Sequence, residues 1–370
     1  MAPSDWATLM DKYTENTYYK VDMNWSGVSV TTAGIRSRGN GSRNPQKPGF
    51  KINFSKYDKA QRFVGLETLI LDNMWQDEAH MAESLTMELF RRFGIPAPRE
   101  SYAKVFLNDA YIGLYAIVEE IDGSFLKRNM EDQGGYLYEY DWVMNWQFES
   151  LGNDGATYVP EMFKPVTQTT GPDPDTIVSW VEFVNRSSNA QFASDIGDYL
   201  DVERFITYLA IESWVSERDG LTGQWGMNNF YLYRPAQSPQ FQFIPWDKDG
   251  AFVNLDRSVL QDLDRNVLVR RLLGIPRFAE YFLKKLEEIS LDHGGPGNWM
   301  ARSAQRHYEL IRAAVAQDAN KRVTANEFEL AATHVRYFID NRPDLVTEQL
   351  GQLRMLTPSV MRLPAYPPKQ

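Results

Sequence analysis

At 370 residues, with 43% hydrophobic and 24% charged side chains, the chain has the balance of a soluble globular protein and the length for one large two-lobed unit or two domains. It contains no cysteine and only four scattered histidines, which excludes disulfides and thiol chemistry and argues against a histidine-rich zinc site. A net charge of −10 argues against a nucleic-acid partner, and no apolar run approaches the ~18–20 residues of a membrane span.

The start, MAPSDWATLMDKY, has no basic and apolar leader, so no signal peptide is expected. From Arg36 to Arg62 eight basic residues stand against Asp58 alone, with glycines among them. A solvated basic face explains such a run, and so does a phosphate site. VSVTTAGIRSRGNGSR and KPGFKINF read as two strands around a Gly/Asn/Ser/Pro-rich loop, with Phe50, Ile52 and Phe54 alternating against Lys51 and Asn53. Residues 77–98 predict a helix with Met81, Leu85 and Leu89 on one face, Asp77 as cap, and Gly94 with Pro96 as stop. YAKVFLNDAYIGLYAIVEEI is a hairpin turning at Asn108-Asp109, and GGYLYEYDW a further strand. Gln147 to Pro174 reads as loop and lobe junction, and Asp201 caps a helix that buries Phe205, Ile206, Leu209 and Ala210. The last third is helical, and LPAYPPKQ reads as a frayed tail.

The pattern predicts an α+β fold with two lobes around a cleft: residues 1–145 mainly antiparallel sheet plus one helix, residues 146–370 mainly helical with a central β-hairpin. That hairpin, NNFYLYR and FQFIPWD, brings Asn229 and Asp247 to the same open end. The loop carrying Asp219 feeds that end, and a two-residue period would keep Asp249 on the face of Asp247. An Asn and up to three Asp form a hard oxygen set suited to magnesium or manganese. The order helix, Asp-bearing loop, Asn, hairpin, metal Asp is that of protein kinases, although there is no DFG and the glycine loop is not GxGxxG.

GIRSRGNGSR with KPGFKINF, FGIPAPRESYAKVFLNDAYIGLYAIVEEID, GGYLYEYD, NNFYLYR and FIPWDKDGAF, in that order, resemble the spore coat CotH family over roughly residues 30–285. The resemblance implies an atypical, ATP-dependent protein kinase. It makes Asp219 the aspartate essential for transfer and Asp247 the metal ligand. Arg36, Arg38 and Gly39 match its RxRG signature, Lys47 the lysine that follows, and Lys51 a basic position beyond. The segment between Asp219 and Asn229 is longer than the family's turn, which leaves Asn228 or Asn229 as the metal-binding amide. Trp246 suits either the adenine ring or the core, and Glu83 or Glu88 is a candidate partner for a phosphate-site lysine. Glu119 reads as structural or ion-paired, and Lys164 as exposed. The expected cofactors are ATP and Mg2+ or Mn2+, and the expected partner is a protein hydroxyl acceptor. The alternatives are a small-molecule phospho- or nucleotidyl-transferase with the same site and a catalytically silent scaffold or adhesin. The expected location is soluble, cytoplasmic or associated with a spore or cell surface.

Overall fold

The computed structural model describes residues 1–130 and 134–356; the LPAYPPKQ tail lies outside them. Helix α1 (Pro3–Asp11) leads into strands β1 (Tyr19–Trp25), β2 (Val28–Arg38), β3 (Gly49–Asn53) and β4 (Thr68–Asp72), followed by helix α2 (Ala82–Arg92). Strands β5 (Glu100–Leu107) and β6 (Ala110–Val118) complete an antiparallel sheet of order β1-β2-β3-β4-β6-β5. The β5–β6 turn falls at Asn108 and Asp109, both with positive φ (46° and 69°), the backbone a two-residue hairpin of this hand requires. Alternation in β3 sends Phe50 and Ile52 into a core with Leu9 of α1, Leu69, Leu71 and Tyr115. Lys51 pairs in register with Ile70 and shares the opposite face, which looks toward the rest of the molecule.

Helix α2 starts five residues later than Asp77, but the aspartate still serves it: its carboxylate accepts from the Ala82 amide (2.7 Å) and from Ala79 N (2.9 Å). Met81, Leu85 and Leu89 are fully buried, and Gly94, with φ +71°, ends the helix as expected.

After α3 (Gly123–Asn129) a second antiparallel sheet forms from β7 (Tyr136–Tyr140), β8 (Phe163–Pro165), β9 (Phe230–Arg234) and β10 (Gln242–Pro245), in the order β10-β9-β7-β8. The predicted hairpin is therefore part of a larger sheet. It takes β7 from ahead of residue 145, and β8 from a stretch read as loop, because three residues of strand leave little alternation to read. Helices α4 (Pro174–Arg186), α5 (Asn189–Asp195) and α6 (Val202–Trp214) precede the hairpin. Helices α7 (Val267–Leu273), α8 (Pro276–Asp292), α9 (Trp299–Gln317) and α10 (Ala325–Leu356) follow it. Asp201 caps α6 at Arg204 N (3.3 Å), and the helix is buried on nearly every side.

The α9–α10 connection returns to the first sheet. Asp318 accepts from Lys47 Nζ (2.7 Å) and Leu114 N (3.0 Å), and the Asn320 amide reaches the Ile112 carbonyl (3.0 Å). No helix among the described residues is long and apolar enough to cross a membrane.

Candidate active site

A cleft of about 790 Å3 is lined by residues of both sheets. Its floor is the open end of the β9–β10 hairpin. The pairing of Phe230 with Pro245 leaves Asn229 opposite Trp246, whose amide donates to the Asn229 carbonyl (3.2 Å). Asn229 (φ +57°) and Asp247 (φ +48°) both adopt the left-handed conformation, which costs a non-glycine residue on the order of 1–3 kcal/mol. The chain thus leaves the strand at Asp247, and Asp249 sits in a turn with Gly250, not on a continuing strand as the two-residue period suggested. Asp249 still reaches the cleft with Asp219, Asn228, Asn229 and Asp247.

Asp219 Oδ2 accepts from both Asn228 Nδ2 (3.1 Å) and Asn229 Nδ2 (3.2 Å), and Asn229 Nδ2 also bonds the Asp219 carbonyl (3.0 Å). The longer 220–228 loop brings both amides to the aspartate, so the two candidates are neighbours and not exclusive choices. The Asp219 amide is held in turn by Glu217 Oε1 (2.8 Å).

The basic wall comes from β2, β3 and the loop between them. Arg36, Arg38, Gly39 and Lys51 all line the cleft. Gly39 has φ +110°, and a Cβ there would stand 2.7 Å from Ser42 Oγ, so the turn after Arg38 requires glycine. Arg36 is held by Asn16 Oδ1 (2.8 Å), and Arg38 by Asp72 Oδ2 (3.1 Å) over the Trp246 ring (5.7 Å). Lys51 pairs with Glu120 Oε1 (2.8 Å), and both line the cleft. Trp246 is half-buried, edge-on to Tyr231 at 5.6 Å, and exposes its remaining surface to the cleft. Lys47 is elsewhere. Its side chain is 1% exposed, committed to Asp318, and not part of the cleft lining.

A family model described as CotH kinase protein matches residues 35–346. The chain belongs to that family. It is 25% identical over 327 residues to the inner spore coat protein H of Bacillus subtilis, an alignment covering 86% of this chain and 87% of that one. It is 22% identical over 224 residues to the invasin CotH7 of Rhizopus delemar, covering 57% of this chain and 36% of the invasin. Against the spore coat protein homolog 1 of the same fungus, identity is 21% over 263 residues, covering 64% and 42% respectively. Among solved structures, the proinflammatory kinase CtkA of Helicobacter pylori aligns with a TM-score of 0.34 at 12% identity, over 86% of this chain and 95% of that one.

The glutamates proposed as lysine partners in this CotH chain have other places. Glu83 lies in α2 among carboxylates: burial first, then Glu100, Asp247 and Asp72, hold its pKa well above the usual range. Glu88 bonds Ser303 Oγ (2.6 Å) and His307 Nε2 (3.1 Å), away from any lysine. The partners are Glu120 for Lys51 and Asp318 for Lys47. Glu119 is ion-paired with Arg99 and Arg128, and Lys164 is half exposed and paired with Asp141.

Negative charge crowds the floor. Burial and the neighbouring Asp72 push Asp247 up to about 6, against the pull of Arg38, and Asp219 adds to the rise. Burial, then Asp247 and Glu217, raise Asp249 well above the usual carboxylate range. A divalent cation would relieve that crowding. Among the described residues no three His, Cys, Asp or Glu side chains close around one point. Magnesium does not ask for such a cage, since it keeps waters and takes one or two carboxylates together with substrate phosphates. The residues present fit such an ion.

Asp72 and Glu120 were not singled out in the sequence. Asp72 ends the apolar run TLILD, the same pattern that drew notice at FIPWD, and Glu120 closes the run AIVEE.

Proposed function

We propose that this CotH protein is an ATP- and divalent-metal-dependent phosphotransferase that moves the γ-phosphoryl group to a serine, threonine or tyrosine hydroxyl of a protein. The observation that carries the reading is the meeting, in one cleft, of Asp219 with its two asparagines, the aspartates of WDKD, and a separate wall of Arg36, Arg38 and Lys51. Membership in the CotH kinase protein family supports it.

Phosphoryl transfer spreads charge over the phosphate oxygens, so cations fixed in advance where that charge grows lower the barrier. Arg36, Arg38 and Lys51 hold the phosphates, and the exposed part of Trp246 takes the base. Asp247, with Asn229 and Asp249, would hold one or two Mg2+ or Mn2+ ions, whose chemistry is to neutralise phosphate charge. Asp219 orients the acceptor hydroxyl and accepts its proton as the new O–P bond forms and the bond to the β-phosphate bridging oxygen breaks, releasing ADP. The two asparagine amides donate to Asp219 and keep it turned toward the acceptor.

Incubation of the protein with γ-labelled ATP and Mg2+ or Mn2+ tests this, alongside Asp219→Ala and Asp247→Ala. Label is expected on the protein or an added acceptor, abolished by chelator and reduced at least ~100-fold in either variant. Label only on a small-molecule acceptor would redirect the reading to a metabolite kinase. Absence of both transfer and metal-dependent ATP binding would leave a scaffold.

A further inference from the structure

Between Asp247 and Asp249 stands Lys248, which faces away from the cleft and is wholly buried. Its ammonium lies 2.7 Å from Glu212 Oε1 of α6, itself 3% exposed, and donates to the backbone carbonyl of Asn229 at 2.7 Å. The other oxygen of Glu212 accepts from the Leu221 amide (2.8 Å), two residues after Asp219. One buried ion pair therefore touches the helix, the Asp219 loop and the Asp247 loop together. The Asp219 loop lies tight against the pair: a Cβ on Gly220 would stand 2.4 Å from Glu212 Oε1.

A buried ion pair contributes little net stability over apolar side chains of the same volume, so stability alone does not account for one here. What the pair supplies is direction. Asn229 and Asp247 both hold left-handed backbones, and the Asn229 carbonyl receives two donors from the Asp247 loop, Lys248 Nζ and Trp246 N. We propose that Lys248 is a positioning residue: its ammonium, anchored by Glu212, pins the Asn229 carbonyl and locks the Asp219 loop to the Asp247 loop in the geometry that transfer needs. The proposal rests on the phosphotransferase reading of the cleft.

The test uses the full chain carrying Lys248→Met together with Glu212→Gln, which removes the ammonium and its partner carboxylate together. Amide hydrogen exchange without nucleotide is expected to quicken at least tenfold across residues 219–229 and 246–250, with β9 and β10 unchanged. In steady-state assays kcat falls about 100-fold, the scale of a small misplacement of reacting groups. The KM for ATP rises by less than kcat falls, because Arg36, Arg38 and Lys51, on the other sheet, keep their hold on the phosphates. Unchanged exchange, or faster exchange with wild-type kcat, overturns the proposal. So does exchange that rises throughout the molecule, since that marks a merely structural pair. If the parent protein transfers no phosphate yet the double variant shows the local change in exchange, the clamp stands and the phosphotransferase reading falls.

Discussion

Two lysines four residues apart, Lys47 and Lys51, begin in the same basic stretch and end in opposite settings. Lys51 lies on β3, points into the cleft, and meets Glu120 with 22% and 16% of the two side chains exposed. Lys47 precedes β3 and meets Asp318 with both side chains 1% exposed. The first pair is open to exchange of partners: a phosphate entering the cleft can compete with Glu120 for the ammonium. The second is closed, because water and ligand are both excluded. Burial lowers the Lys47 pKa, and Asp318 is what opposes that shift. Equal chemistry in the sequence thus divides into a lysine that faces the cleft, where the proposed function has it bind phosphate, and one sealed in the interior, and the division is made by what the rest of the chain lays on top.

The comparison can be broken at its buried end first. Asp318→Ala leaves Lys47 charged and alone in the interior, and unfolding free energy should fall by about 3–5 kcal/mol, read by denaturant titration. Lys47→Met combined with Asp318→Asn should recover most of that loss. A single variant with wild-type stability would mean that the pair is not closed. At the open end, Lys51→Met should cost transfer activity about 10- to 100-fold, mostly through the KM for ATP, with stability changed by about 1 kcal/mol or less. A large stability loss with normal KM would reverse the two roles.

A pH-dependent effect sharpens the contrast between paired and unpaired burial. Glu100, bonded to Ser84 Oγ (2.6 Å), is pushed up to about 8 mainly by burial. A carboxyl whose folded pKa is raised stabilises the fold at low pH and loses that contribution as pH climbs from its ordinary range toward the folded value. Glu100→Gln, which stays neutral, should therefore melt above the parent protein by a margin that widens from pH 5 to pH 8 and then levels. A margin that stays flat over that interval would show Glu100 to be held as an anion.

Much of the site was legible because its signals are local. The alternation of Phe50, Lys51 and Ile52 puts the lysine opposite the core, and strand lengths on either side of PAQSPQ bring Asn229 to Asp247. The glycine after Arg38 marks a turn that no side chain tolerates. What was not legible depends on contacts far apart in sequence. Nothing near Lys47 announces Asp318, and nothing near Glu83 announces that Glu100, Asp72 and Asp247 will gather around it. Asp249 was placed by extending a strand period past a residue that turns left-handed, a change of backbone that an Asp permits but does not declare. Strand β8 is too short to carry a pattern, and β7, read as a strand, was assigned to the first lobe, so the second sheet was seen as a hairpin alone.

The span between Lys47 and Asp318 also bears on how the molecule is made. The two residues are separated by 271 positions. At ~5–20 residues per second a ribosome needs roughly 14–54 s to travel from one to the other. From Val118 onward the six-stranded sheet is complete in sequence, yet Lys47, just ahead of β3, has no Asp318 to meet. The surface around Lys47 therefore stays open to water until the α9–α10 connection emerges. A connection made well after the sheet is what covers Lys47.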